Sequence, residues 1–168
     1  MSIAQKFTKK MTASMGQVHE VSSMAKVPAK VMEIAKALKI EPKAVAAASL
    51  QTLKWGKMKI DYRHAEILDV LGISMPQFGI AETGTLVFCA SQENPASLNF
   101  VPEFSIAILK MSGMVETPEE VWAVLAVEGK MPRTLNMISG PSKTGDIEQT
   151  LFLGAHGPRE LHVILVKA

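Results

Sequence analysis

Cysteine is almost missing from this 168-residue chain, and Cys89 is the single one. One thiol can form neither an internal disulfide nor an iron-sulfur cluster, and it suits a reducing compartment, so a cytoplasmic location is expected. Aromatic residues are few, with six Phe, two Trp and one Tyr. That leaves little on which to stack the bases of a single strand. Charge of one sign is lacking as well: 18 Lys and Arg face 16 Asp and Glu, for a formal net charge of +2. Such a balance has no basic footprint, and nucleic acid is not an expected partner. No apolar run approaches the roughly 18 residues of a bilayer span, so no membrane partner is expected either. The histidines His19, His64, His156 and His162 share no paired spacing, and no metal site is expected. Residues 1–19 carry Lys6, Lys9 and Lys10 without an acid but also without an arginine. An N-terminal arm therefore fits better than a transit peptide.

What is present is apolar and patterned. Hydrophobic residues make up 48% and charged residues 20%, the balance of a folded domain with a sizeable core. In "VPAKVMEIAKALKI" the residues Val31, Ile34, Ala35 and Leu38 fall at i, i+3, i+4 and i+7, one face of a helix. Pro42 and the alanine-rich "KAVAAASLQTL" predict a second helix, so the first third reads as helical. After Trp55 come short β-branched runs, "FGIAETGTLVFCA", "FSIAILK", "TLNMISG" and "ELHVILVKA". Near-continuous apolar strands are those of mostly parallel sheets covered on both faces. Between them "TPEEVWAVLAVEGK" predicts a helix, with Thr117 as N-cap, Pro118 at the first position, Glu120 closing a capping box and Gly129 at the end. Its buried face is expected from Val121, Trp122 and Leu125. A last strand, a "GPSKT" loop, a helix over "GDIEQTLFL" and a returning strand repeat the plan, and the whole predicts a three-layer α/β domain.

Two polar constellations interrupt these runs. Gly140 and Gly145 have the spacing of a phosphate-binding P-loop, but Asp146 and Ile147 stand where Lys and Ser or Thr belong, which rules that motif out. What remains is a loop entering a helix, where Ser142, Lys143 and Thr144 offer donors to a small anion beside the free N–H groups of the first turn. Plain capping, with Asp146 complementing the dipole, is the competing reading and the favoured one. In "AETGTL", Gly84 between Thr83 and Thr85 predicts a tight turn or a close backbone approach. Glu82 beside it is a general-base candidate if buried and a turn residue if exposed; both stay open. His156 is separated from Lys143 by the predicted helix, ~14 Å at about 1.5 Å per residue. It is thus expected at the opposite edge of the sheet, shaping a turn.

"GIAETGTLVF" at Gly79–Phe88 and "ISGPSKTGDIEQTLFLGAHGPRELHVILV" at Ile138–Val166 resemble motifs of the LUD domain family, of the lactate utilization protein C type. In the second, Lys143 holds the basic position and Gly145 replaces a usual alanine. The resemblance runs from about Leu50 to the C-terminus. It implies an α/β/α sandwich of the sugar-phosphate isomerase and CoA transferase type over 50–168, with a helical arm over 1–49, together one domain. It also implies a non-redox part in oxidising L-lactate to pyruvate, beside iron-sulfur subunits as partners and with no cofactor of its own. The corresponding site residues are Glu82, as a catalytic candidate, and Thr83, Gly84, Thr85, Gly140, Ser142, Lys143, Thr144 and Asp146 for a small anionic ligand. Three features depart from the family pattern: Val70 stands where an aspartate is usual, "NPASLNFVP" has no preceding arginine, and the chain is short. An independent enzyme acting on a CoA ester or phosphosugar, and a scaffolding module, stay open as alternatives, as does a homo-oligomer.

Overall fold

The computed structural model describes residues 1–129, 131–145, 151–153 and 156–167. In chain order the elements are α1 (Ile3–Ala13), β1 (Gln17–Val21), α2 (Val27–Ala37), β2 (Lys43–Ala46), β3 (Lys59–Tyr62), β4 (Leu71–Ser74), β5 (Phe78–Ile80) and β6 (Thr85–Cys89). Then follow α3 (Ser97–Phe100), β7 (Phe104–Lys110), β8 (Met114–Val115), α4 (Pro118–Glu128), β9 (Leu135–Ile138), β10 (Lys143–Gly145), β11 (Leu151–Leu153) and β12 (Glu160–Val166).

The central β7 and β12 alternate in their burial partners although both faces are apolar, the pattern of a strand covered on two sides. Ile106, Ile108, Ile164 and Val166 pack with Val27, Val31 and Ile34 of α2. Their neighbours Ala107, Leu109, Val163 and Leu165 turn the other way, onto Phe7 and Met11 of α1 and Leu86 and Phe88 of β6. The sheet between them has six strands in the order β1-β12-β7-β4-β2-β3, all parallel. Helices flank it on both sides, the α/β class expected.

On the α1 side a second sheet of four strands, β8-β5-β6-β9, completes the layer. Its β5-β6 and β6-β9 pairs are antiparallel. Ile80 and Val87 on its outer face pack against Val121 and Leu125 of α4. The first 49 residues are not all helix, since they also supply β1 and β2, and β1 lies in register beside β12. Lys43–Ala46, expected as helix, is a strand because its small side chains fit between β3 and β4 with Ala44, Val45 and Ala46 fully covered. Burial here overrides alanine's helix propensity.

Two further expectations need correction. α4 starts at Thr117 as predicted and ends on Gly129 in the left-handed region, φ +64°. Its capping box does not close, however: Glu120 Oε2 accepts from the Glu116 N–H at 3.0 Å, one residue upstream. Trp122 is 45% exposed rather than buried, because only one side of α4 meets the small sheet. A capping box does form in α1, where Ser2 Oγ accepts from the Gln5 N–H and Gln5 Oε1 from the Ser2 N–H. No helix among the described residues is long and apolar enough to cross a membrane.

Candidate functional site

The largest correction falls on the last motif. Lys143–Gly145 and Leu151–Leu153 are antiparallel strands, with Lys143 opposite Leu153, where a helix entry was expected. A hairpin brings the chain back where a helix would carry it away. His156 therefore does not lie at the far edge of the sheet. Its N–H donates to Ser142 Oγ at 3.2 Å, and the Ser142 N–H donates to Pro158 O at 2.8 Å. A Cβ on Gly157 would touch Ser142 Cβ at 3.4 Å. The two halves of the motif are thus pressed together, 139–143 against 156–158.

Between them and the amino ends of β7 and β12 lies a cavity of about 350 Å³. Its walls include Phe88, Met137 and Leu161, and its rim carries Ser142, Lys143 and His156. Two buried polar residues line it as well: Ser105, at the start of β7, and Asn99, on α3. Asn99 is only 3% exposed, and neither its Nδ2 nor its Oδ1 has a hydrogen-bond partner among the described residues. Buried amides almost always find partners, and leaving one without them costs about 1–3 kcal/mol per group. Both amide atoms are sealed from solvent, so the orphaned amide lies beneath the cavity's surface rather than open to a ligand in it.

Of the residues expected at a site, Gly140, Ser142 and Lys143 line this cavity together. Thr85 reaches it through a chain of hydroxyls, Thr83 Oγ1 to Thr85 Oγ1 at 2.7 Å and Thr85 Oγ1 to Ser139 Oγ at 2.6 Å. Glu82 is exposed on the β5-β6 turn and its N–H donates to Glu116 O at 3.0 Å; the burial that would favour a base is not there. Thr144 pairs with Phe152 through the backbone of the hairpin. Asp146 lies outside the described residues. The two glycines serve packing: a Cβ on Gly84, at φ +67°, would stand 2.5 Å from Met11 N, and one on Gly140, at φ +100°, would meet the Ser14 carbonyl oxygen. Both motifs are therefore seats for the C-terminal end of α1. Asn99 and Ser105 were missed, and the signal for them was a polar residue inside the apolar stretches "SLNFV" and "EFSIAI".

A second cavity of about 540 Å³ opens at the other edge, beyond the carboxyl ends of β2, β4 and β7. Open parallel sheets commonly bind ligands at that edge. Here, though, its buried amide is occupied: Asn94 Nδ2 donates to Met75 O at 2.8 Å and Asn94 Oδ1 accepts from the Met75 N–H at 3.3 Å. Gln77 Oε1 accepts from the Cys89 N–H at 2.7 Å. Burial pushes the Cys89 thiol up from its ordinary value, away from the thiolate a nucleophile needs. The amino-edge cavity is the better candidate. Among the described residues no cluster of three or more His, Cys, Asp or Glu could hold a metal ion.

Comparison with known proteins adds to this geometry. The LUD domain family matches residues 4–166, so the likeness begins well before Leu50. An uncharacterised protein of Neisseria meningitidis serogroup B is 44% identical over 96 residues, 56% of this chain and 41% of that one. Lactate utilization protein C of Shouchella clausii is 36% identical over 111 residues, covering 64% and 48% of the two chains. The same protein of Geobacillus kaustophilus is 35% identical over 115 residues, covering 66% and 47%. Each match thus spans less than half of the relative's length. A crystal structure of a DUF162 family protein from Deinococcus radiodurans shares the fold, with a TM-score of 0.69 at 24% identity over 98% of this chain and 96% of that one.

Proposed function

The chain belongs to the LUD domain family, and from that premise we propose that it is a cytoplasmic, non-redox component of an L-lactate to pyruvate oxidising system that binds a small carboxylate in the amino-edge cavity. The observation that carries the site is the gathering of Ser142, Lys143 and His156 on the rim of one cavity. Lys143 supplies the positive charge and Ser142 a hydroxyl, the groups a carboxylate needs. The relatives named lactate utilization protein C support the metabolic part of the reading. A chain with one cysteine holds no iron-sulfur cluster alone. Electron transfer would therefore fall to separate iron-sulfur subunits.

Deleting the gene in its native host and measuring growth on L-lactate as carbon source tests this role. Growth should be lost on lactate, kept on glucose, restored by the intact gene and not restored by a Lys143→Ala copy. Unchanged growth on lactate after deletion overturns the role.

A further inference from the structure

We infer that α2 and the turn before β3 form a docking groove for an acidic segment of another protein, one that carries an apolar side chain among its carboxylates. The near-neutral charge of the chain conceals a segregation. Residues 1–59 hold eleven lysines against three acids, net +8, whereas residues 60–168 hold seven basic residues against thirteen acids, net −6. Such asymmetry marks a surface for partners of the opposite sign. α2 covers the face of the six-stranded sheet opposite α1. There three of the lysines border one groove of about 380 Å³: Lys36 near the end of α2, and Lys54 and Lys57 in the turn that precedes β3. Ala25, Ala29 and Met32 give the groove apolar walls. With Lys36 they follow one another at spacings of four, three and four, one stripe of a helix. The stripe runs ~16 Å at about 1.5 Å per residue, the length of about five extended residues.

What the groove lacks decides its occupant. Among the described residues no carboxylate lines it, and none of its three lysines pairs with an acid, although Lys30 on the same helix pairs with Glu33 at 2.7 Å. Lysines gathered without counter-charges repel one another, and an acidic segment relieves that repulsion. The large apolar side chains of the groove do not protrude. Met32 is half-buried, and Trp55 is 9% exposed with its indole N–H donating to Leu50 O at 3.4 Å. A membrane surface takes side chains that reach into it, and a nucleic-acid strand takes free rings on which to stack. An apolar groove instead receives a side chain, so the occupant brings one, with carboxylates beside it for the lysines.

Fluorescence anisotropy on the full chain tests this with a labelled heptapeptide, a leucine flanked by three glutamates on each side. Binding should weaken about tenfold when Lys36→Ser, Lys54→Ser and Lys57→Ser are combined, the joint effect of three exposed charge pairs. Replacing the peptide's leucine by serine should weaken it about fivefold through lost burial. A control variant, Lys6→Ser with Lys9→Ser and Lys10→Ser, removes the same charge from α1 on the other side of the sheet. It should change binding by less than about twofold, since solvent and salt screen charges at that separation. On the wild-type chain alone, a peptide with glutamines for its glutamates should bind about tenfold more weakly, so the matter is decided even if a variant fails to fold. Equal binding of the leucine and serine peptides overturns the inference, as does an equal loss from the two lysine triples, because bulk charge alone is then being read. Tighter binding to phosphatidylserine vesicles or to a DNA duplex than to the peptide also overturns it and gives the face to lipid or nucleic acid. Self-association that the Lys36, Lys54 and Lys57 triple abolishes does the same and makes a second copy of the chain the occupant.

Discussion

The two edges of the six-stranded sheet each bury an asparagine to almost the same degree, Asn94 at 4% and Asn99 at 3% exposure. At the carboxyl edge Asn94 holds the Met75 backbone through both ends of its amide. At the amino edge the Asn99 side chain has no partner among the described residues. Identical chemistry at equal burial is structural in one place and idle in the other. The difference teaches that burial alone does not set what an amide contributes to stability; its partners do. It also shows why the usual rule about strand ends needs care here. The "GPSKT" loop does leave the carboxyl end of a strand, but that strand, β9, belongs to the four-stranded sheet, where it pairs antiparallel with β6. Its carboxyl end faces the amino ends of β7 and β12.

The largest effect expected at the amino edge concerns the loop itself. Gly140→Ala places a methyl group against the Ser14 carbonyl at a φ of +100°, a conformation L side chains rarely adopt. Strain and overpacking should together destabilise by about 3 kcal/mol or more. Urea unfolding would show it as a lower midpoint, and a loss under about 1 kcal/mol would mean that α1 yields easily. Next comes the asparagine pair. Asn94→Leu leaves the Met75 N–H and C=O without partners and should cost about 2–3 kcal/mol. Asn99→Leu removes two unsatisfied atoms at similar volume and should be neutral or stabilise by about 1 kcal/mol. Equal losses at both sites would erase the contrast between the edges.

A pH dependence follows from a third polar group near the amino edge. His19 Nε2 lies 3.1 Å from His162 Nδ1, and His162 Nε2 lies 3.2 Å from Glu160 Oε2. With His162 donating to the carboxylate, its Nδ1 accepts and His19 donates, so both rings are satisfied while neutral. Burial holds His162 below the ordinary histidine value against the pull of Glu160. His19 is lowered too, first by burial, then by His162 and by Lys30, with Glu33 opposing. Between those lowered values and the unfolded value of about 6.5, the unfolded chain binds more protons than the folded one. Stability is then fully present above about pH 6.5 and declines as pH falls below it. Melting temperatures recorded from pH 8 to pH 5 should show that decline, and His162→Gln should flatten it. A profile rising toward pH 5 would contradict the assignment.

Much of the layered architecture could be read from residues alone, and the failures have physical causes. β7 and β12 were visible as apolar runs, α4 from Pro118 to Gly129, and the β5-β6 turn from Gly84 between threonines. Apolar runs do not say which sheet a strand joins, so the second, mixed sheet was not foreseen. Alanine-rich β2 and the β11 segment read as helix, and most of β10 as loop, because local propensity cannot register what tertiary neighbours will cover. At the site, Ser142 and Lys143 came from the motif. The approach of His156 depended on the hairpin, and Asn99 has no local pattern, only a place in the finished fold.

The smallest effect concerns how α1 is held over the amino-edge motifs. Lys6 Nζ and Glu116 Oε1 form an ion pair at 2.6 Å, with side chains 44% and 41% exposed. Water and salt screen such a pair, and two long side chains lose freedom in making it. Phe7 and Met11, by contrast, are fully buried in the layer beneath, and Gly84 and Gly140 admit the helix at backbone contact. Lys6→Ala should therefore change stability by only about 0.5 kcal/mol or less, and that change should fade in 0.5 M salt. Phe7→Ala should cost about 3–5 kcal/mol at any salt concentration. If Lys6→Ala matched Phe7→Ala, charge would be seating the helix; shape complementarity at the two glycines predicts a gap between them of several kcal/mol.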